Sequence, residues 1–277
     1  MSTMFNRVAK VTISPPLGGV GRTFDCPPFF IEFDQKLNIN GTTTTTLKIF
    51  NPNSDTIEAS TASIINGNLR GANVSINAGY FNASGTCCVG EAYSRTIKRQ
   101  GTDIVLTLEI SDTPYKFSTA LVAKSWNNQL VSQIISDACQ SVGIAIGTID
   151  LGADQTLKNY SAKSSFSSVI RKLCNQTKSQ FYFKNGLLNI DPLRPKNKVV
   201  AQYLDETSGL IGNPETKISN MIKSMSFQTL FFYNLNLGDY VQINSQNFRN
   251  TIGRIITGNK KFSMSGQCQC EFEAQMI

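Results

Sequence analysis

The chain contains no histidine. That absence removes Ser-His-Asp and Cys-His nucleophilic catalysis, the usual proton shuttle near neutral pH, and the commonest metal ligand. Charged residues are scarce, at 16% of 277 residues, and no apolar run reaches the length of a membrane-spanning helix, so no span is expected. The opening stretch MSTMFNRVAKVTIS lacks the apolar centre of a secretory signal, and folding in a cytoplasm is expected. Triplets such as Asn73-Val-Ser and Asn159-Tyr-Ser then carry no glycosylation meaning. A hydrophobic content of 40% is ample for a folded chain, long enough for two or three domains.

Seven cysteines are present: Cys26, Cys87, Cys88, Cys139, Cys174, Cys268 and Cys270. None forms a C-x-x-C pair, and without imidazole the spacing does not suit a structural zinc site. Adjacent Cys87 and Cys88 would point to opposite faces of a strand. Cys139 and Cys174 fall in apolar helical patterns, where a thiol packs as a small hydrophobe. The closing stretch GQCQCEFEAQM joins two cysteines to two glutamates within six residues. Its unbroken period of two puts Cys268, Cys270, Phe272, Ala274 and Met276 on one face, and Gln267, Gln269, Glu271, Glu273 and Gln275 on the other. Thiols and carboxylates on opposite faces cannot converge on one ion. The stretch reads as a strand.

The 19 acidic residues show no pattern that selects a catalytic pair. The glycine-rich PPLGGVGRT (15–23) has Pro16 where a phosphate loop needs its first glycine and Arg22 where it needs lysine. Gly18, Gly19 and Gly21 therefore suit a loop between strands, with an interface role in view. No catalytic, metal or cofactor residue is assigned, and the chain is not expected to be an enzyme. The net charge of +7 is spread along the chain; its densest groups, RTIKR (95–99) and GNKKF (258–262), lie beside strand signals without a nucleic-acid-binding motif. An acidic protein partner or a path for DNA remains compatible with it.

Periodicity divides the chain into three. Up to about residue 117 it alternates: Val8 to Ile13, then Phe29, Ile31 and Phe33, then TTTTTLKIFNP closing at Asn51-Pro52. Val74, Ile76, Ala78 and Tyr80 follow, then Ile104, Leu106, Leu108 and Ile110. From 118 to 198 the spacing turns helical. Leu130, Val131, Ile134, Ile135, Ala138, Cys139 and Val142 share a face, with Asn127 or Asn128 as cap and Gly143 as stop. Phe166, Val169, Ile170 and Leu173 repeat the device behind Ser164 or Ser165, and Asn185-Gly186 predicts a hairpin joining Phe181 and Phe183 to Leu188 and Ile190. PLRPKNK (192–198) closes that module. From 199 to 277 strands return in SNMIKSMSFQTLFFYN, LGDYVQI, TIGRIITG and QCQCEFEAQM.

Several of these segments, in order, resemble one family. LKIFNPNSDTIEA followed by GANVSINAGYFN is similar to a strand, a turn and a V-x-I-x-A-G-Y run. FSSVIRKLCNQTKSQFYFKNGLLNID resembles L-x-x-L-C-x-x-T-G-x-x-F-Y-x-x-x-G-x-L. LNLGDYVQINSQNFRNTIGRIITG resembles P-G-D-x-V-x-I followed by G-x-Y-R-V. Together they resemble the phage baseplate hub family, related to late-control D tail proteins and to the hub half of type VI secretion spike proteins. The resemblance implies a mainly β fold with an α+β insertion: two tail-tube-like antiparallel β-barrels (1–117 and 199–277) flanking a small α+β module (118–198). It further implies a homotrimer whose paired barrels form a pseudo-sixfold ring. That ring would adapt a sixfold tail tube to a threefold spike around a channel for DNA passage, without sequence-specific binding. The expected partners are the tube protein, a separately encoded spike and possible tape-measure and wedge proteins. The expected location is the virion baseplate, assembled in the host cytoplasm. A distal tail or receptor-binding virion protein is the alternative, and a cell-wall hydrolase a more remote one. The excess positive charge is expected on outer or intersubunit faces rather than in the channel, where tight phosphate contacts would slow DNA.

Overall fold

The period-2 stretches do become strands. A computed structural model describes residues 6–16, 18, 20–65, 68–194, 199–219 and 222–277. Residues 1–5, Leu17 and Gly19 of the glycine-rich loop, Asn66 and Gly67, residues 195–198 of PLRPKNK, and Asn220 and Met221 lie outside the described residues. The chain forms two compact units: Met1–Asn38 with Thr43–Asp112 and Val200–Ile277, and Ile39–Thr42 with Thr113–Val199.

The first unit opens with β1 (Arg7–Ser14), where Ala9, Val11 and Ile13 are buried while Lys10 faces solvent. Then come β2 (Arg22–Cys26), β3 (Phe30–Asn38) and β4 (Thr44–Phe50). Asn51 turns the chain with φ +50°, and Asn53 caps the short α1 (Ser54–Ala59) by accepting the Thr56 N–H at 2.9 Å. A small hairpin of β5 (Ser63–Ile65) and β6 (Asn68–Arg70) leads to β7 (Asn73–Tyr80), the long β8 (Ala83–Gln100) and β9 (Asp103–Ser111).

The second unit holds α2 (Lys116–Thr119), β10 (Leu121–Trp126), β11 (Gln129–Leu130), α3 (Val131–Val142), β12 (Ile146–Ile149), β13 (Thr156–Leu157), β14 (Tyr160–Ser165), α4 (Phe166–Gln176), β15 (Ser179–Lys184) and β16 (Leu187–Pro192). Its core gathers the apolar faces of both long helices around Phe117, whose ring meets those of Phe166, Phe181 and Phe183 at 5.8, 5.4 and 5.0 Å. Gly143 ends α3 with φ +69°, Ser165 caps α4, and Asn185 and Gly186 turn the hairpin with φ +53° and +78°. The start of α3 departs from expectation. Asn127 and Asn128 do not cap it, because residues 129 and 130 are drawn into a ladder with β13. Asp154, 22 residues away from Ser132, does the work instead, accepting its N–H at 3.1 Å and its hydroxyl at 2.6 Å.

The chain then returns to the first unit through β17 (Val200–Leu204), β18 (Leu210–Ser219), β19 (Ile222–Leu230), β20 (Tyr240–Ile243), β21 (Thr251–Ser263) and β22 (Gln269–Met276). The first and last stretches share one sheet, ordered β18-β19-β22-β21-β3-β4-β9-β8-β7-β1-β2, with β20 pairing β21 and β17 beside it. Its two parts meet where β21 pairs antiparallel with β3, from Thr257 opposite Asn38 to Ser263 opposite Glu32. β22 keeps the expected faces: Cys270, Phe272 and Ala274 are buried and Glu271 and Glu273 lie on the other side.

Within that sheet the same block of strands occurs twice. β3, β4, β9 and β8 lie side by side in an order repeated by β18, β19, β22 and β21, each set taking its strands from the chain in the same succession. The match holds residue by residue. β8 carries a bulge at Tyr93, since Ala92 faces Ile110 while Ser94 faces Glu109. β21 carries one at Ile256, since Ile255 faces Ala274 while Thr257 faces Glu273. Aligning the bulges sets Gly90 on Gly253 and Lys98 on Lys261. It also matches Val74, opposite Gly90, with Val241, opposite Gly253. The neighbouring strands then read GANVSI (71–76) and GDYVQI (238–243).

A further bulge explains the adjacent cysteines. β7 faces β8 with Ile76 opposite Cys88 and Asn77 opposite Thr86, leaving Cys87 as the extra residue, so Cys87 and Cys88 are both buried instead of facing opposite ways. All seven thiols are free and buried. Burial pushes Cys26, Cys88, Cys139, Cys174 and Cys270 up to about 12 and Cys87 to about 11, from an ordinary 9.0. Folded thiols thus hold their protons more tightly than unfolded ones. The associated stability is complete below pH 9 and is lost as pH rises through the folded values. The urea midpoint is expected to hold between pH 7 and 8 and to fall at pH 10 to 11, with a shallower fall after Cys270→Ala. A thiol-reactive dye at pH 8 should label the native chain slowly and all seven sites in urea.

The repeated glycine makes a second test. A Cβ at Gly90 would run into the backbone carbonyl of Ser111, and one at Gly253 would meet the Met225 methyl and lie 3.0 Å from the Ala274 Cβ. Both Gly90→Ala and Gly253→Ala should lower the melting temperature, each costing about 1–3 kcal/mol. Gly90→Ala should cost more, because a backbone carbonyl yields less than a methionine tip. Equal melting temperatures for wild type and both variants would contradict this packing.

Candidate functional site

Among the described residues no group of three or more Cys, Asp or Glu is placed to hold a metal ion. Arg22, which stands where a phosphate loop has lysine, is ion-paired to Asp55 at 3.0 Å. The structure instead draws attention to two open sheet edges and one polar face, all in the first unit.

β7 pairs with β8 only over residues 83–91. Beyond the Tyr93 bulge, β8 has β9 on one side, and among the described residues no strand pairs with its other side. At the opposite end of the eight-strand run, β18 has β19 on one side and likewise no strand on its other. Each edge presents unpaired backbone groups, and each carries exposed apolar side chains: Tyr93 and Ile97 on β8, Ile211 and Ile218 on β18. In the corresponding place between β21 and β3 the edges are already joined, and the side chains are covered. Leu37, the counterpart of Ile218, is 5% exposed where Ile218 is 75% exposed. Lys260, the counterpart of Ile97, is fully buried, its amine donating to the Tyr233 carbonyl and Asn236 Oδ1, both at 3.0 Å.

The face of the eight-strand run opposite the core is polar. In the first block it carries Glu32, Asp34 and Lys36 on β3, Lys48 on β4, Asp103 and Glu109 on β9, and Lys98 on β8. In the second it carries Lys261 on β21, Glu271 and Glu273 on β22, and Glu215 and Lys217 on β18. Beyond the two bulges this makes seven carboxylates against five amines, an excess of two negative charges. Ser263 donates to Glu32 Oε1 at 3.1 Å and Thr46 to Glu109 Oε2 at 2.8 Å, while Glu32, Asp34, Lys36, Lys48 and Lys261 line a groove of about 370 Å³.

The basic charge lies elsewhere. Counted over the sequence, the first unit has fifteen basic and fifteen acidic residues; the second has eleven basic and four acidic, which is the whole net +7. RTIKR and GNKKF, the two basic groups singled out in the sequence, occupy matching positions of the repeat, just past the bulges of β8 and β21. Arg95 and Arg99 project from β8 on the side away from the polar face, next to Ile97. The family resemblance implied two matching β units, but their residue-by-residue correspondence and the open edges were not read from the sequence; GANVSI against GDYVQI was the available signal.

No family model and no curated protein matches the chain by sequence. Solved structures do. The chain is similar to a tail protein from Neisseria meningitidis MC58 (TM-score 0.68, 9% identity, covering 98% of this chain and 97% of that one). It is also similar to the 43 kDa tail protein of prophage MuSo2 from Shewanella oneidensis (0.65, 10%, covering 96% of each). A third similar structure is the c3393 protein of E. coli, a type VI secretion component itself similar to phage T4 tail proteins (0.65, 9%, covering 90% and 73%). The strands, their merged sheet and the inserted helical unit therefore make up the mainly β fold found in phage tail proteins and in a type VI secretion component.

Proposed function

We propose that this protein is the structural hub of a phage tail baseplate and has no enzymatic role. The observation that carries the reading is the doubled four-strand block. A chain whose sheet holds two equivalent blocks, joined side by side, supplies two sixths of a ring, and three copies complete it. Such a ring is threefold by its chains and pseudo-sixfold by its blocks. It can meet a sixfold tail tube on one side and a threefold spike on the other, each through equivalent contacts. Each block, with the strands that continue from it, serves as one tube-like unit, and the inserted unit decorates the ring. Its eleven basic residues suit an acidic surface on a neighbouring tail protein.

The polar face of the run lines the channel in this reading. A lining with an excess of two negative charges per copy, and with hydroxyls and amides between them, holds no phosphate tightly. DNA can then pass without the counterion-releasing contacts that arrest it on basic surfaces. The virion tail is the corresponding location.

Purified protein is expected to have the mass of three chains by light scattering and to show, by electron microscopy, threefold rings with six similar lobes. A ring of six copies would favour a distal tail protein instead, and a monomer at all concentrations would overturn the reading. On a peptidoglycan zymogram no clearing is expected; clearing abolished by one Asp or Glu substitution would establish a hydrolase.

A further inference from the structure

We infer that the free edge of β8 pairs antiparallel with β18 of the next copy of this chain, in the register already built into the molecule between β21 and β3. The inference rests on the ring reading and adds which edges close it and which residues face one another.

Superposing the two blocks sets β8 on β21 and β18 on β3. The β21–β3 ladder places Asn259 opposite Lys36, Lys260 opposite Gln35, and Lys261 opposite Asp34. The cross-strand pairs carry each of these positions into the other block. Asp34 faces Thr46, which faces Glu109; Glu215 faces Ser226, which faces Glu273. Glu109 and Glu273 in turn flank the two bulges at the same step. Asp34 therefore corresponds to Glu215, Gln35 to Thr216, Lys36 to Lys217, and Leu37 to Ile218. The edge of β8 then meets the next copy with Thr96 opposite Lys217, Ile97 opposite Thr216, Lys98 opposite Glu215, and Arg95 opposite Ile218.

Two features fit that register, and a third fits the pairing of these two edges as such. Lys98 against Glu215 repeats the amine-to-carboxylate opposition of Lys261 and Asp34 across the internal ladder. Ile218, 75% exposed in one chain, comes to occupy a place that is covered at Leu37, and Ile97, 43% exposed, one that is covered at Lys260. The unpaired backbone of both edges gains partners at once, which removes the aggregation hazard that two long, partly apolar edges pose in a free chain. Eight strands per copy, closed in this way three times, leave no open edge in the run.

Charge exchange and cross-linking test it together. Lys98→Glu places two carboxylates opposite each other and is expected to shift the trimer toward monomer at low ionic strength; Glu215→Lys is expected to do the same. The double variant Lys98→Glu with Glu215→Lys should restore the trimer. Circular dichroism of each variant checks the fold, which these exposed positions should leave unchanged. Independently, Thr96→Cys with Lys217→Cys should give disulfide-linked dimers and closed trimers under mild oxidation, while wild type, whose own thiols are buried, stays unlinked. Trimers that persist in both single variants, or that form without linking the engineered pair, would overturn this pairing and leave the ring standing. A wild-type chain that never trimerises would overturn both.

Discussion

Everything in the first unit depends on one hydrogen-bonded ladder, that between β3 and β21. It spans 231 residues of sequence at its outer end, where Ser263 reaches Glu32. Without it each block would end in bare backbone on the side where the other now begins, and Phe33, stacked on Phe262 at 5.3 Å, would lose its partner. Long-range pairing of this kind is entropically expensive to close, since the whole second unit lies between its strands. The molecule meets that cost by burying Leu37, Phe33 and Phe262 on the core side of the ladder, where they flank the buried pair Lys260 and Gln35.

The same ladder shows how one block can recognise another. Edge strands normally need protection by charge, bulge or cover. In β21 the bulge at Ile256 separates the part paired with β20 from the part paired with β3. A bulge increases local twist, which lets a strand leave one neighbour and enter a second sheet direction. β8 has the same device at Tyr93, between the part paired with β7 and the part left open. The open edges are thus copies of a joint the chain already makes, rather than defects of an isolated sheet.

Much of this was legible in the sequence and some was not, for physical reasons. Period-2 patterns revealed β1, β7 and β22 because one face of each is buried and the other wet. Gly143 and the Asn185-Gly186 pair were legible because left-handed backbone restricts residue choice. The start of α3 was not, because its N-terminal N–H groups are satisfied by Asp154 from a distant loop instead of by a local cap. Cys87 was misplaced because a bulge breaks the alternation without leaving a mark in residue type. The doubling came only from the family resemblance and not from residue patterns, since the two copies share geometry far more than side chains: Gly90 and Gly253 persist where no Cβ fits, whereas Ile97 and Lys260 occupy one position with opposite chemistry.

That last contrast bears on what separates the two blocks. An internal joint is formed once, within one chain, and is never solvated after folding. It can therefore bury Lys260, provided the amine keeps its two oxygen partners. In the proposed ring the β8 edge exists first in water and is covered later, so an amine at that position would be stripped of its hydration at assembly. Isoleucine there loses nothing on burial and gains from leaving water. The apolar residue at 97 and the buried lysine at 260 are accordingly the two solutions expected of one geometry, used once inside a chain and once at its boundary.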